Sequence, residues 1–340
     1  MSTKDNNVHG YISPGWECVQ LAFEQNFNEG LDIGASLCVY HRGKCVVDLY
    51  GGWKDPETKK EPYTEDTLQL VFSTAKGIMA AAVALCVERG WLDYNVPVSK
   101  YWPQFGYNGK ENILLKDLLS HRAGLPYIDQ QLTIEDVCDW SHMISLLIAE
   151  KPHWDPGSMH GYHGHTIGFV VGELIRYVDP QHRSYGKFVR EELDNQCYIA
   201  ELPGVNAISN ARSLARIYAR LMGDIVENEK KIERLLSEKT LLEAIENVTP
   251  VGEPDRTMPM IKTAFGKGGF QVYGEIFNVF GDNVFGHNGF GGSCALAYPP
   301  DKLSYAHVCN QLDTSGFIID QRSIRLLKAI QYVLNHLTTL

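Results

Sequence analysis

The chain has 340 residues, 44% of them hydrophobic and 21% charged, with 31 Gly and 15 Pro. That is room for one large domain or two modest ones with a substantial core, and it excludes a low-complexity or collagen-like protein. Asp and Glu outnumber Lys and Arg by 41 to 31, a formal net charge of −10, which argues against nucleic acid or an anionic membrane as the main partner, because phosphate binding calls for a basic surface.

The N-terminal stretch carries neither a secretory apolar core nor an Arg-rich transit pattern. A helix is expected over 16–27. Strands at 35–40 and 45–50, joined by His41-Arg42-Gly43-Lys44, read as a β-hairpin that ends at Gly51-Gly52. Residues 74–89 are almost wholly apolar and stop at Gly90, the residue type that ends helices, so they predict a buried central helix. Its apolar run, 78–87, is too short to cross a hydrocarbon core that needs roughly 20 residues. A short helix follows at 116–120, closed by a Gly124-Leu125-Pro126 turn, then an amphipathic helix over 134–150. Ile167, Val170, Val171, Leu174, Ile175 and Val178 keep the helical period after Gly164. Helices are also expected at 188–193 and 207–222. From Gly266 the chain becomes Gly-rich and strand-like, at 269–273, 276–280, 293–298 and 303–310, before a last helix over 320–337. Strands at both ends and helices between them predict an α+β fold. Its mostly antiparallel sheet is assembled from 1–60 and 265–340, and 61–264 form a mainly helical region.

The chemistry concentrates around Ser-X-X-Lys, which occurs at Ser73/Lys76 and again at Ser184/Lys187. Context separates the two. Ser73 stands at the start of the apolar helix with Lys76 one turn on, along the same face. Burial lowers an ammonium pKa and leaves a neutral amine within reach of the serine hydroxyl, while the helix N-terminus adds partial positive charge beside the nucleophile. Ser184/Lys187 lies in the polar run HRSYGKFVREEL and reads as an ordinary surface helix start.

FSTAKG before an apolar helix, then LLSHRAGL, WDPGSMHGYHGHTIGFVVGELI and FGHNGFGGS, in that order, resemble the serine β-lactamase and penicillin-binding-protein superfamily. The likeness is to its class C-like branch, with the family VIII carboxylesterases and eukaryotic β-lactamase-domain proteins. The resemblance runs from about Gly15 to the C-terminus and implies a β-lactamase-like fold and a serine hydrolase that forms an acyl-enzyme. By that resemblance Ser73 is the nucleophile, Lys76 its activating partner and Tyr162 the tyrosine of the second motif. A phenol becomes a useful base only beside a cation, which Lys76 provides. His287, Asn288 and Gly289 match the third motif, and the amide of Phe290 with that of Ser73 would form the oxyanion hole. Gly164 stands where lactamases carry Asn, and His287-Asn288 replace Lys-Thr. Those side chains help to grip a β-lactam, so the expected activity is carboxylester hydrolysis with weak or no β-lactamase activity. A catalytically weak, self-assembling scaffold on the same fold and an acyltransferase are the alternatives. The segment between Leu193 and Ala207, DNQCYIAELPGVN, is short for the family.

His160, His163 and His165 invite a metal reading, but no further ligand pattern stands nearby, and lining or tuning of Tyr162 fits them better. His121 reads as a loop-stabilising residue. No cofactor or metal is expected. The partner is a small ester or amide substrate, with no nucleic acid and no membrane span, and self-association into a homo-oligomer is left open. The eight cysteines form no CxxC pair and no dense framework, and several sit in apolar runs. A reduced, cytoplasmic protein is therefore expected.

Overall fold

In the computed structural model, which describes residues 7–195, 197–199, 204–274, 276–313 and 319–337, the chain divides into two units. One comprises Met1–Thr74, Ile208–Arg234 and Phe277–Leu340, the other Ala75–Ala207 and Leu235–Ile276. The longer helices are α1 (Glu17–Asn28), α2 (Ala75–Glu88), α3 (Trp140–Ala149), α4 (Thr166–Val178), α5 (Tyr185–Glu192), α6 (Ala211–Met222), α7 (Glu238–Ile245) and α8 (Gln321–Leu337). Among the described residues, no helix is long and apolar enough to cross a membrane.

The first unit is built on β1 (His9–Ile12), β2 (Gly34–His41), β3 (Lys44–Gly52), β4 (Ile225–Glu227), β5 (Lys230–Ile232), β6 (Phe285–Asn288), β7 (Cys294–Tyr298) and β8 (Leu303–Cys309). They lie in one sheet in the order β5-β4-β3-β2-β8-β7-β6, with β1 paired onto β3. The pairings are antiparallel except β3 with β4. The β2–β3 hairpin closes on a two-residue turn in which Arg42 and Gly43 both have positive φ, 50° and 78°, the turn whose twist matches that of the strands it joins. Residues of β2 and β8 are buried in succession rather than alternately, so both faces of the sheet centre are covered. Helix α6 packs on β2, β7 and β8, while α1 and α8 pack on each other. The rim of α6 is tied to the sheet by Arg212 on Asp48 and Arg216 on Glu227.

The second unit surrounds α2, whose residues from Ala75 to Cys86 are all buried; it packs on α4 and α7. A helix apolar on every side belongs inside. It ends as Gly90 predicts: the Gly90 amide donates to Val87 O at 2.9 Å and Trp91 to Cys86 O at 2.9 Å, with Gly90 at φ 70°, the left-handed close that costs glycine no Cβ clash.

Three sequence expectations are corrected. The helix over 134–150 is two, Ile134–Cys138 and α3, because Asp139 is extended and its carboxylate accepts from His142 N, starting a new helix. The helix over 207–222 begins only at α6, where the Asn210 side chain accepts from Ser213 N; Ala207–Ser209 is a strand. The strand over 276–280 is replaced by turns and bends, and the Ile276 amide folds back onto Tyr273 O at 2.8 Å.

Candidate active site

Ser73 lies in the single 3₁₀ turn Phe72–Thr74, the last residues of the first unit before α2. The preceding Phe72 has φ 47°, a left-handed conformation uncommon for an aromatic residue and a store of local strain. The turn is held from the sheet side: Thr74 Oγ1 donates to Ser293 O at 2.9 Å. Gly289, at the end of β6, sits so close that a Cβ there would lie 2.3 Å from Val71 O and 2.8 Å from Thr74 Oγ1. Only glycine lets this strand end approach the serine's turn. The next residue, Phe290, is 54% exposed and meets the Phe72 ring edge-on at 5.8 Å. His287 is buried, and its Nδ1 lies 2.8 Å from Asn288 O, to which it donates. The first unit thus gathers Ser73, Gly289 and Phe290 around one turn, with His287 and Asn288 on the strand behind.

In the second unit Lys76 occupies the second position of α2 and is wholly buried. Its Nζ donates to Gly164 O and Gly204 O, both at 2.7 Å, and stands 4.9 Å from the centre of the Tyr162 ring. Burial pulls its pKa from the ordinary lysine value down to about 7. The two carbonyls and the aromatic face are partners an ammonium can use, and burial outweighs them. Gly164, which has no side chain, takes part through its backbone carbonyl.

Tyr162 is fixed from three sides. Its ring stacks on Phe265 at 6.2 Å and 17° and lies 4.8 Å from the His121 ring. Its amide donates to Asp255 Oδ1 at 3.1 Å, and its carbonyl accepts from Thr257 Oγ1 at 3.2 Å. Asp255 is buried. Burial alone would raise its pKa, but donors from Tyr162 N, Thr257, Thr263 and Met258 N hold the carboxyl below its ordinary value.

The histidines of HGYHGH engage separate protein groups. His163 Nδ1 donates to Gly161 O at 2.5 Å, its Nε2 accepts from Leu125 N at 2.8 Å, and burial presses its pKa to about 4. It is a neutral brace inside the loop. His160 meets Glu253 through Nδ1 and Thr263 through Nε2, each at 3.0 Å, and Glu253 also takes Arg122. His165 is exposed at the start of α4, its pKa lowered first by partial burial and then by the charge of Lys76. His121 accepts His163 N at Nδ1, 3.0 Å away, which makes it the loop-stabilising residue its motif suggests. The second pair, Ser184/Lys187, is a helix cap: the Ser184 side chain accepts from Lys187 N at the start of α5.

Sequence reasoning missed Asp255, Gly204 and the Arg322 group described below. Asp255 lies in a segment without helical or strand period, and Gly204 acts through a carbonyl, which any residue type carries. Neither leaves a signal in the sequence.

The β-lactamase family model matches residues 23–194. The chain is 28% identical, over 92% of its length and 86% of the relative's, to a protein named esterase/β-lactamase LipL from Mycobacterium tuberculosis. Among solved structures it is similar to a family VIII carboxylesterase, with a TM-score of 0.89 and 28% identity over 96% of this chain and 99% of the other. It is also similar to a penicillin-binding-protein homologue from Caulobacter crescentus, with a TM-score of 0.87 and 27% identity over 96% of this chain and 100% of the other.

Proposed function

We propose that this chain, which belongs to the β-lactamase family, is a serine hydrolase that cleaves small carboxylic esters through an acyl-enzyme on Ser73. The observation that carries the reading is Lys76: a lysine buried at the foot of α2, three residues after a serine, beside Tyr162, with its pKa brought to about 7. At neutral pH a large fraction of such amines is unprotonated and ready to accept a proton.

In the proposed sequence Lys76 Nζ takes the proton from Ser73 Oγ as the oxygen attacks the ester carbonyl. The amides of Ser73 and Phe290 receive the developing oxyanion, and preorganised donors of this kind are commonly worth a factor of about 10² to 10³ in rate. Collapse of the tetrahedral intermediate expels the alcohol, which leaves with a proton relayed through Lys76 and Tyr162. Water then attacks the acyl-enzyme by the reverse route, returning the proton to Ser73 Oγ. The cation–π contact between Nζ and the Tyr162 ring supports a shared proton path, since a phenol beside a cation is easier to ionise.

Esters are favoured over β-lactams for a chemical reason. Gly164 offers no amide side chain, and His287 is buried on its own backbone, so neither supplies the exposed amide or ammonium group that grips a β-lactam. The names of two similar proteins, a family VIII carboxylesterase and an esterase/β-lactamase, support the same class. A fluorophosphonate that labels serine hydrolases tests the reading: the wild-type chain should be labelled and the folded Ser73→Ala variant should not. Absence of labelling in the wild type would favour a scaffold on this fold.

A further inference from the structure

The loop that follows Gly289 is fastened from behind by a buried arginine that no part of the proposed mechanism uses. Arg322, in the first turn of α8, is wholly buried. Its Nη2 donates to Gly291 O at 2.6 Å and to the Asp320 carboxylate; its Nε donates to Asp320 Oδ2 at 2.7 Å. Nη1 donates to Gln311 O at 2.7 Å, to Asp32 Oδ1 at 3.2 Å and to Leu31 O at 3.3 Å. Asp32 in turn meets His307 Nε2 at 3.2 Å. One guanidinium thus joins the end of α1's loop, the segment after β8, the start of α8 and the carbonyl one residue past Phe290.

The loop is shaped to this partner. Gly291 and Gly292 have φ of 85° and 113°, a region that favours glycine. A Cβ on Gly292 would lie 2.0 Å from Arg322 Nη2 and 2.1 Å from Asp320 Oδ2. The Asp313 amide adds a second hydrogen bond to Gly291 O at 3.0 Å. On its other side the loop is closed by Gly289 N to Ser293 O at 2.7 Å and Gly292 N to Gly289 O at 3.3 Å, and Gly289 rests against the turn that carries Ser73. The peptide amide of Phe290 is therefore held between two fixed neighbours: Gly289 on the serine's turn, and Gly291 on the guanidinium.

We infer that Arg322 is a positioning residue for the oxyanion hole: by pinning Gly291 O it fixes the direction of the Phe290 amide. This rests on the proposed role of Phe290 in ester hydrolysis. An oxyanion donor acts only when aimed at the place the oxygen reaches in the transition state, so loosening its frame lowers the rate of the chemical step while leaving ground-state binding almost unchanged. Lysine cannot substitute: it is a point charge on a flexible stem, and it cannot span Gly291 O, Gln311 O and both aspartates from one planar fork.

The test uses Arg322→Lys and Gly292→Ala in the full chain, the second of which displaces the guanidinium without removing any charge. Both are assayed with p-nitrophenyl butyrate and with an alkylboronic acid, which binds a serine hydrolase as a tetrahedral mimic of the oxyanion. The expected result for each variant that melts cooperatively is a kcat lower by roughly 10- to 100-fold, a KM within about 3-fold of wild type, and boronate affinity falling in step with kcat/KM. A change in KM alone, unchanged boronate affinity, or full activity in either folded variant would overturn the assignment. So would failure of both variants to fold, which would give the arginine to the stability of the first unit. Failure of the underlying reading is seen separately: wild-type esterase activity would then survive Ser73→Ala.

Discussion

Replacing Lys76 with methionine removes one buried charge and little volume, and its effect on stability should depend on pH in a way that reports the lysine's own proton. The folded-state pKa is about 7 against an ordinary value of 10.5, and burial is the cause. Between those values the unfolded chain holds the proton and the folded chain does not, so unfolding takes up a proton and stability climbs with pH. Below pH 7 both states are protonated and the folded protein carries the whole penalty, about 5 kcal/mol at 1.36 kcal/mol per pH unit. At pH 9 the folded lysine is neutral and about 2 kcal/mol remains, the cost of stripping the proton from a group that keeps it when unfolded. The variant loses the hydrogen bonds to Gly164 O and Gly204 O, which are stronger from the ammonium than from the amine; that difference is already contained in the folded-state pKa and adds no separate pH dependence. The stability of wild type relative to Lys76→Met should therefore rise by about 3 kcal/mol from pH 6 to pH 9. Urea unfolding followed by tryptophan fluorescence at the two pH values measures it. A wild-type-to-variant gap that stays constant within about 0.5 kcal/mol would show that the lysine keeps its proton in the fold, and the argument for a neutral base would fail.

Three further outcomes are expected. Tyr162→Phe should keep the stacking on Phe265 and lower kcat for p-nitrophenyl butyrate by about 10² to 10⁴, the range for a positioned proton-transfer group; activity within 3-fold of wild type would move the proton relay elsewhere. Ser184→Ala should leave esterase kinetics unchanged and lower stability by about 1 kcal/mol through loss of the cap on α5, as seen in thermal unfolding; a loss of activity would contradict the choice between the two Ser-X-X-Lys pairs. The kcat/KM for nitrocefin should fall below that for p-nitrophenyl acetate or butyrate by about 10² or more, because two grips on the lactam are missing; an equal or higher value would show that Gly164 and His287 have been misjudged.

Much of this was legible in the sequence because it is written in local pattern. The α2 helix announces itself through an unbroken apolar run and Gly90, and α4 through its 3.6-residue period. The β2–β3 hairpin is marked by a Gly in a two-residue turn. Two of the errors lie where a short polar side chain competes with periodicity. Asp139 and Asn210 each sit inside a stretch with a helical pattern; Asp139 caps a new helix instead of continuing the one before it, and Asn210 starts a helix directly after the strand Ala207–Ser209. The hairpin of β4 and β5 was missed because its strands are three residues long and its turn, Asn228-Glu229, contains no glycine; both residues nevertheless take positive φ, 49° and 61°. At the candidate site the side chains with motif spacing could be singled out from the sequence, while the groups that contact them could not. Asp255 and Arg322 are far from Tyr162 and Phe290 in the chain and act on backbone atoms, so no spacing rule connects them.

The central claim is a covalent bond to one oxygen. Rapid-quench mixing with p-nitrophenyl butyrate, followed by intact-mass measurement and peptide mapping, reads it directly. A single butyryl group should appear on the peptide containing Ser73 during turnover, decay as substrate is exhausted, and be absent from Ser73→Ala. Steady ester turnover with no adduct, or with the acyl group on another residue, would contradict the account.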